Sequence, residues 1–380
     1  MEQYDVIVVG GGIIGLCAAF AMKEAGVKRL LVIERAWCGQ GSTSKATGGI
    51  RTQFSSPINV QLSLRGRDYF TRWEEIYGSD PGFHPIGYLF VTADEQRGET
   101  LLAQVPQQRA LGVEVESLDN RDLHHIVPGM RQEDIRVALL TPRDGVADPG
   151  AAVMSVEAAC RRQGIKILEH TPVQALVVQG TRITGVRTEA GDIFSSDRVL
   201  AATGAWTAPL LSTCGISVPI SPHHRQVYRT LPVPDWPTRM PLSVDLDTGL
   251  YCHSDGPAVV FGGGDRDATA GYDDTPRPMD VANLIDALVY RWPRLAAAQI
   301  ERTWAGLREM TPDDHGIVGM IPQRQGLYVA AGFSGHGFMQ APAVGEIIAT
   351  LMTGQSSAYG LDALDPARFL GPTKGEAYVF

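Results

Sequence analysis

The chain has 380 residues, and its 42 Asp and Glu against 33 Lys and Arg give a formal net charge of −9. This length is typical of two or three domains, and 44% hydrophobic with 20% charged residues excludes a disordered chain. The negative charge argues against a nucleic-acid or anionic-membrane partner. No apolar run reaches the ~18 residues of a membrane span, and no basic signal-peptide start is present, so we expect a cytoplasmic protein.

Cysteine usage limits the metal chemistry. The five cysteines form no CxxC pair. Scattered cysteines are typical of a reducing compartment, and their spacing excludes a cysteine-ligated zinc or iron–sulfur site. We therefore expect no metal site.

The first 35 residues carry a nucleotide-binding pattern. Residues 5–9 predict a buried parallel strand, an apolar helix follows and stops at Gly26, and residues 30–33 predict a second strand. Between the first strand and the helix, residues 10–15 read Gly-Gly-Gly-Ile-Ile-Gly and fit the G-x-G-x-x-G fingerprint. All four parts, the strand, the glycines, the helix and the second strand, occur in the expected order and spacing. This combination favours a dinucleotide site over an unrelated glycine-rich turn.

Each part of this pattern has a physical task. Gly10 permits the tight turn, Gly12 lets the backbone approach a pyrophosphate, and Gly15 allows close packing of helix and strand. The helix N-terminus at Ile13 and Ile14 offers N–H groups to the phosphates. Glu34 ends the second strand, where it accepts hydrogen bonds from a ribose and repels the 2′-phosphate of NADP. FAD and NAD both remain open, because both carry an ADP half.

The middle of the chain predicts a different kind of layer. Residues 87–91 predict a strand and residues 99–110 a helix. Several short strand-like runs punctuated by Pro and Gly occupy residues 217–262 and indicate an antiparallel sheet, and residues 280–290 predict a further helix.

Two more apolar strands run into glycine, at residues 198–204 and 327–332. Strands of this type at such distant places predict two domains interleaved along the chain. We expect a cofactor domain formed by residues 1–82, 142–215 and 312–380, and a substrate domain formed by residues 83–141 and 216–311.

After the last of these strands comes the glycine-rich run 332–342, followed by a helix predicted for residues 343–352. Pro342 suits a first helical turn, where its missing N–H costs nothing. Such a loop can lie against a flat ring, and the positive helix N-terminus would then stabilise the negative charge of a reduced flavin.

Residues 5–34, 41–51, 144–149, 202–206, 310–313 and 332–337 resemble the D-amino-acid oxidase/sarcosine oxidase superfamily of flavoenzymes. Within it, residues 49–54 and 337–342 look most like the β subunits of heterotetrameric sarcosine oxidase and of dye-linked L-proline, hydroxyproline or opine dehydrogenases. The resemblance implies an α/β (α+β) fold of glutathione-reductase type, with a Rossmann-like FAD domain interleaved with a mixed or antiparallel-sheet substrate domain. It also implies FAD, a companion subunit or electron carrier, and leaves open an FMN at a subunit interface.

The family chemistry is oxidation of a C–N bond in an amino acid or N-alkyl amino acid, with hydride transfer to the flavin and formation of an imine. By resemblance, Arg51 holds the substrate carboxylate through its fork-shaped guanidinium. Tyr251 and His253 are candidates for the roof of the substrate site, and His336 is either catalytic or a structural buried histidine.

The resemblance also extends the set of expected cofactor contacts beyond the N-terminal fingerprint. These residues are Arg35, Ser42, Thr43, Lys45, Ala46, Thr47, Gly48, Gly49, Val173, Ala202, Thr203, Gly204, Trp206, Gly306, Gly332, Phe333, Gly335, His336, Gly337, Phe338 and Met339.

Three departures from the family refine these expectations. Relatives attach FAD through a cysteine that aligns with Gly306 or a histidine that aligns with Lys45, so we expect non-covalent FAD here. Met339 replaces a carboxylate-binding lysine of monomeric sarcosine oxidases, as in the multi-subunit relatives.

The third departure from the family is a missing lysine, and it concerns the electron acceptor. Some oxidases of the family use a lysine near residues 260–264 to speed reaction with oxygen, whereas this chain has no lysine between residues 167 and 373. We therefore expect a dehydrogenase, with a peroxide-producing oxidase, a non-catalytic flavin-binding assembly factor and an NAD-dependent dehydrogenase as alternatives.

Overall fold

A computed structural model describes residues 2–263, 269–277, 281–371 and 373–377. The helices are α1 (Ile13–Glu24), α2 (Pro57–Thr71), α3 (Trp73–Tyr77), α4 (Glu95–Ala110), α5 (Asn120–Ile126), α6 (Pro149–Arg162), α7 (Thr207–Ser212), α8 (Ala282–Arg291) and α9 (Gly337–Met352). The strands are β1 (Val6–Val9), β2 (Leu30–Ile33), β3 (Gly49–Ile50), β4 (Tyr88–Thr92), β5 (Glu116–Ser117), β6 (Val137–Thr141), β7 (Gly145–Val146), β8 (Lys166–Leu168), β9 (Val173–Gln179), β10 (Arg182–Thr188), β11 (Ile193–Ser195), β12 (Val199–Ala201), β13 (Ser221–Thr230), β14 (Leu242–Asp245), β15 (Leu250–Asp255), β16 (Ala258–Gly263), β17 (Ile300–Met310), β18 (Ile317–Met320) and β19 (Leu327–Ala331).

One sheet of six strands has the order β18-β19-β12-β1-β2-β8. All neighbours pair in parallel except β18, which is antiparallel to β19. The central strands β1, β2 and β12 are buried on both faces, as expected for an apolar parallel sheet covered by other layers. The strands predicted at residues 5–9, 30–33, 198–204 and 327–332 are therefore confirmed, and they do lie side by side despite their separation in sequence.

A second sheet of eight strands has the order β17-β13-β16-β15-β14-β4-β6-β5. It is antiparallel except where β14 runs parallel to β4. The strands within residues 217–262 pair antiparallel with one another, as predicted, and the parallel pair joins β14 to the distant strand β4. Two smaller sheets, β11-β10-β9 and β3-β7, complete the described strands.

The strands of the six-stranded sheet all fall within the three segments predicted for the cofactor domain. Those of the eight-stranded sheet all fall within the two segments predicted for the substrate domain. The boundaries between the two domains stay a prediction.

The start of α9 corrects one prediction. The helix begins at Gly337 rather than at residue 343, so Pro342 lies inside it and not in its first turn. Gly337 packs against Phe333, since a Cβ at Gly337 would come within 3.3 Å of the Phe333 Cβ. Pro342 therefore does not mark the first turn of α9. The expected cofactor contacts Gly337, Phe338 and Met339 consequently lie in the first helical turn.

Two other helix boundaries differ from the sequence prediction. Helix α4 begins four residues earlier than predicted, at Glu95, because the Asp94 side chain accepts a hydrogen bond from the Arg97 N–H at 2.7 Å and caps the helix. Helix α8 confirms the helix predicted for residues 280–290. Residue 280, where that prediction begins, lies outside the described residues.

The parallel strands place several loops at one edge of the six-stranded sheet. Strands β1, β12 and β19 run in the same direction, so the loops at their carboxyl ends meet there. Helix α1 follows β1 and helix α9 follows β19, and each helix begins at this edge. Both helix N-termini, with their partial positive charge, are therefore directed to the same place.

Helices α1 and α9 pack closely on the sheet. A Cβ at Gly345 of α9 would lie only 2.8 Å from the backbone carbonyl of Cys17 in α1. Only glycine permits this approach of the two backbones. Among the described helices, none combines the length and apolar character needed to cross a membrane.

Substitution of Gly345 by alanine is expected to force α1 and α9 apart and to lower the free energy of unfolding by about 1–3 kcal/mol. Gly360→Ala is the matched control, because no heavy atom lies within 4 Å of a Cβ at that exposed position. Urea unfolding of both variants with cofactor bound measures the difference. Equal stability of the two would show that the helix contact is not tight.

Candidate functional site

Three adjoining cavities follow the edge where the two helices begin. The nucleotide cavity, of about 340 Å³, lies at the carboxyl ends of β1, β2 and β12. The middle cavity, of about 160 Å³, lies between that edge and the eight-stranded sheet. The inner cavity, of about 70 Å³, extends the middle cavity and shares six lining residues with it, among them Thr47, Tyr251 and Arg308. Together they form one elongated path through the protein.

The nucleotide cavity brings together most of the residues predicted to bind an ADP half. It is lined by Gly10, Gly12, Ile13, Ile14, Glu34, Arg35, Ser42, Thr43, Val173, Ala202, Thr203, Gly204 and Trp206. Contacts in the structure explain why glycine is needed at the predicted positions. A Cβ at Gly10 would lie 2.2 Å from the Ala202 carbonyl oxygen, and one at Gly15 would lie 2.0 Å from the Gly10 oxygen. Gly15 therefore contributes packing and does not line the cavity.

Space for a ligand is left in front of α1. A Cβ at Gly12 would meet only the Thr43 hydroxyl, at 3.4 Å, so the absent side chain leaves room beside the helix N-terminus. The Ile13 N–H donates to the same hydroxyl at 3.2 Å. An anionic group fits this position because the helix N-terminus is positively polarised.

At the far end of the nucleotide cavity, Glu34 accepts hydrogen bonds from the Gly11 and Ala36 N–H groups at 2.7 and 3.0 Å. These bonds fix its carboxylate on the cavity wall. The Arg35 guanidinium lies over the Trp206 ring, 3.5 Å from its centroid. The pair gives this end a flat, cationic surface.

The middle cavity collects the residues that the family resemblance predicted around the flavin. It is lined by Ser42, Thr43, Lys45, Ala46, Thr47, Tyr251, Gly306, Gly335, Gly337 and Phe338. Three charged residues that the sequence analysis missed also line it: Arg225, Arg308 and Glu309. Arg308 and Glu309 directly precede the 310–313 motif, and alternation along β17 from Gly306 was the signal that could have found Arg308.

Among the described residues, neither a cysteine nor a histidine lines the middle cavity. A side chain at Gly306 would meet Lys45, because a Cβ there would lie 2.5 Å from the Lys45 Cβ. The five cysteines are buried or half-buried, and none lines the nucleotide, middle or inner cavity in the described part of the chain.

The inner cavity contains the predicted substrate residue Arg51, together with Tyr251, His336, Gly48, Gly49 and Met339. Arg51 is only 3% exposed, and its guanidinium donates to the Gln53 carbonyl oxygen at 2.6 Å. The cation lies over the Phe54 ring, 4.0 Å from its centroid. Burial is the main cause that lowers the pKa of Arg51, and the Arg308 charge lowers it further.

His336 lies beside Arg51 and packs edge-on against Phe54, with ring centroids 4.7 Å apart. Burial, and then the neighbouring Arg51 charge, hold the pKa of His336 well below its ordinary value. The imidazole is therefore neutral at physiological pH. It can exchange hydrogen bonds in the inner cavity without adding positive charge to it.

Arg308 is the residue that joins the middle and inner cavities, since it lines both. It packs against Gly335, where a Cβ would come within 2.8 Å of the guanidinium Nε. Burial lowers the pKa of Arg308, and Tyr251 and Tyr88 act in the opposite direction. Gly335 thus makes room for the Arg308 guanidinium.

A carboxylate near the C-terminal end of the described chain supports the Arg51 loop. Glu376 is buried and accepts hydrogen bonds from the Ser55 N–H at 2.7 Å, the Ser56 hydroxyl at 2.8 Å and Asn59 Nδ2 at 3.1 Å. Burial alone would raise the pKa of Glu376, but the hydrogen bonds from Ser55 and Asn59 hold it below its ordinary value. The ionised carboxylate fixes the segment that follows Arg51.

Besides Gly15, three predicted residues lie apart from the cavities. His253 is buried on β15 with its Nδ1 3.0 Å from the Ser254 oxygen, and it does not line any of the three cavities. Gly332 and Phe333 do not line them either. Phe333 is fully buried and packs against Gly316 and Gly337, so it supports the loop from behind.

Cys38, Glu157 and Glu169 form a cluster whose potential ligand atoms lie within 4.8 Å of one another. Arg161 already binds Glu157 at 2.7 Å and Glu169 at 3.0 Å. Burial also raises the pKa of the Cys38 thiol. The cluster is therefore explained as an ion-pair network and carries no argument for a metal ion.

Comparison with known proteins agrees with this geometry. A family model described as FAD dependent oxidoreductase (DAO) matches residues 5–351. The chain belongs to the DAO family of FAD-dependent oxidoreductases. The family resemblance and the fold class predicted from the sequence are thereby confirmed.

Individual relatives are similar over nearly the whole chain. L-proline dehydrogenase from P. horikoshii superposes with a TM-score of 0.91 at 32% identity, covering 97% of this chain and 98% of that one. Glycine oxidase from Geobacillus kaustophilus gives a TM-score of 0.87 at 25% identity, covering 98% and 100%. Sarcosine oxidase subunit beta of Rhodobacter capsulatus is 26% identical over 97% of this chain and 90% of its own length.

One relative is much longer than this chain. The 4-methylaminobutanoate oxidase (formaldehyde-forming) of Paenarthrobacter nicotinovorans is 28% identical over 98% of this chain. The match covers 46% of that protein's length, so the chain corresponds to about half of it.

The Glu309 carboxyl leads to a prediction about how FAD binding depends on pH. Burial raises the pKa of its carboxyl to about 7, although hydrogen bonds from backbone N–H groups and the Arg308 charge lower it in part. It lines both the nucleotide and the middle cavity, so above pH 7 its negative charge faces the path of the FAD diphosphate. We expect the dissociation constant of FAD to rise about fivefold between pH 6 and pH 8.5.

Glu309→Gln, which mimics the neutral acid, should keep tight FAD binding at both pH values. The control is Glu75→Gln, which removes an exposed carboxylate that pairs with Arg72 away from the cavities. Fluorescence titration of the flavin-free protein measures the constants. If the pH dependence of FAD binding persists in Glu309→Gln, a group other than Glu309 causes it.

Proposed function

We propose that the protein is an FAD-dependent dehydrogenase that oxidises the C–N bond of an amino acid. The substrate is a secondary or N-substituted amino acid of the sarcosine, proline, hydroxyproline or opine type. The observation that carries this proposal is the inner cavity, which presents the arginines Arg51 and Arg308 at the end of the path shaped for the cofactor. A carboxylate is the ligand that such guanidinium groups recognise best.

The residues of the elongated path fit FAD along its length. The open space at Gly12 in front of α1 suits the diphosphate, and the Glu34 end suits the ribose and adenine. The middle cavity, at the start of α9, suits the ring. When bound there, FAD supplies the hydride acceptor for the oxidation.

The protein's own residues orient the substrate and set its charge. Arg51 and Arg308 bind the carboxylate, and the Tyr251 hydroxyl lines the same cavity. Because both arginines are cationic and His336 is neutral, a bound amine is favoured in its neutral form, which is the form that can lose a hydride. A strong protein base is therefore not required.

Relatives support the substrate class and suggest a partner. The solved L-proline dehydrogenase, at 32% identity, acts on a secondary amino acid by its name. The relative named sarcosine oxidase subunit beta indicates a companion subunit for this chain, and an FMN at such an interface stays part of the proposal. The absence of lysine between residues 167 and 373 supports an acceptor other than oxygen.

The direct test is anaerobic addition of amines to the yellow protein. We expect sarcosine, proline, hydroxyproline or an opine to bleach the flavin, and turnover to be faster with an artificial dye than with oxygen. Faster turnover with oxygen would make the protein a peroxide-producing oxidase. If none of these amines bleaches the flavin, a flavin-binding assembly factor is favoured instead.

Arg51→Ala is expected to raise KM for the best carboxylate substrate about 30- to 1000-fold, because a buried charged contact is worth about 2–4 kcal/mol. The flavin should remain bound, since Arg51 lines the inner cavity and not the nucleotide cavity. Arg72→Ala, which removes an exposed arginine paired with Glu75, is the control. An unchanged KM would show that Arg51 does not hold the substrate.

The cofactor is expected to be non-covalent, because neither Gly306 nor Lys45 offers the nucleophile that relatives use. Acid precipitation of the purified protein should therefore release all the flavin into the supernatant, where its absorbance is measured. Yellow colour that stays with the precipitate after washing would reveal a covalent link.

A further inference from the structure

Arg51, which the proposed function assigns to the substrate carboxylate, directly follows a short backbone ladder. Strands β3 and β7 pair antiparallel, and the last pair of this ladder is Ile50 with Gly145. At the other end of the ladder, the Ala147 N–H donates to the Gly48 oxygen at 2.9 Å. The ladder therefore fixes the backbone on the N-terminal side of Arg51.

On the C-terminal side of Arg51, the backbone is held by the Asp144 side chain. The Asp144 carboxylate accepts from the Thr52 N–H at 2.7 Å and from the Thr52 hydroxyl at 2.9 Å. Asp144 and Thr52 are both fully buried. Because water does not reach either residue, losing one of these hydrogen bonds would leave a buried polar group unsatisfied, which is costly. Arg51 therefore lies between two fixed neighbours, Ile50 and Thr52.

Asp144 is itself held in place by two other segments of the chain. Arg67 of α2 donates to the Asp144 carboxylate at 3.1 Å, and this ion pair is almost fully buried. The Asp144 backbone oxygen accepts from the Gly87 N–H at 2.8 Å, directly before β4. The carboxylate that binds Thr52 is thus a fixed group of the protein interior.

The position of Thr52 affects the Arg51 guanidinium, because two groups that contact the guanidinium follow Thr52 directly in the chain. The guanidinium donates to the Gln53 oxygen at 2.6 Å and lies over the Phe54 ring, 4.0 Å from its centroid. A shift of the backbone at Thr52 would move both groups and the guanidinium with them. A binding group that is already oriented gives higher affinity, since less freedom is lost when the ligand binds.

Neither Asp144 nor Thr52 lines the nucleotide, middle or inner cavity. Their effect on a ligand in the inner cavity therefore passes through Arg51. We propose that Asp144 is a positioning residue: by holding Thr52, it fixes the direction in which Arg51 meets the substrate carboxylate. This inference rests on the proposed function and deepens it, because it names the group that orients the carboxylate-binding arginine.

The main test replaces Thr52 by valine in the whole protein with FAD bound. Valine keeps the shape of the side chain and the backbone N–H, but it removes the hydroxyl that donates to Asp144. The ion pair of Asp144 with Arg67 stays in place. We expect KM for the best substrate among sarcosine, proline, hydroxyproline and an opine to rise about tenfold, the effect of one hydrogen bond to a charged group. Dye-coupled turnover measures KM and kcat, and kcat should stay at the wild-type value.

A second measurement separates binding of the carboxylate from the chemistry. Propionate carries a carboxylate and no amine, so its binding to the oxidised protein reports on carboxylate recognition alone. Calorimetric titration should give a dissociation constant for propionate that is about tenfold higher in Thr52→Val than in the wild type. The dissociation constant of FAD should be the same in both proteins, since Thr52 lines neither the nucleotide nor the middle cavity.

Three further variants show whether the effect comes from the contact between Asp144 and Thr52. Thr52→Ser restores the hydroxyl and should return KM to near the wild-type value. Thr100→Val, which removes an exposed hydroxyl that donates to the Gln96 oxygen within α4, is the matched control and should leave KM unchanged. Arg67→Gln breaks the buried ion pair and should lower the midpoint of urea unfolding. Its KM should rise less than that of Thr52→Val, because Asp144 can still accept from Thr52.

The outcomes distinguish the inference from the proposed function. If Thr52→Val keeps the wild-type KM and propionate constant, or changes only kcat, the inference is wrong and the proposed function stands. The inference is also wrong if KM rises in Arg67→Gln at least as much as in Thr52→Val, since the change in KM would then follow the loss of stability. If no amine of the panel bleaches the flavin of the wild-type protein, the proposed function fails and the inference fails with it.

Discussion

The contact between α1 and α9 is the constraint on which the rest of the structure depends. Gly345 lets the α9 backbone reach the α1 backbone at Cys17, and both helices begin at the same edge of the parallel sheet. Their positive N-termini are thereby fixed side by side. Residues from both helix starts, Ile13 and Gly337, line the middle cavity.

The eight-stranded sheet completes the site from the other side. Its strands β15 and β17 carry Tyr251 and Arg308 to the end of the path, and the loop after β3 brings Arg51 to meet them. Glu376, from the end of the described chain, holds that loop through Ser55 and Ser56. The two arginines of the inner cavity are thus positioned by segments far apart in the sequence.

The sequence predicted those parts of the site whose geometry is local. The glycines Gly10 and Gly12, the acid Glu34 and the strands that end in glycine follow from short patterns, and the structure places them around one cavity. Alternation along β17 from Gly306 could have indicated Arg308, whereas the positions of Glu309 and Glu376 in the site depend on pairing and contacts between segments far apart. Pro342 shows the opposite error, since the local rule that places a proline in the first helical turn does not hold in α9, which begins at Gly337.

The central claim is that the nucleotide and middle cavities together hold one FAD in an extended form. Calorimetric titration of the flavin-free protein with FAD, ADP and NAD tests it most directly. The account predicts one FAD bound per chain, competition by ADP for the same site, and no displacement of FAD by NAD. Binding of NAD by a protein that does not take up FAD would contradict it, as would FAD binding that ADP does not affect.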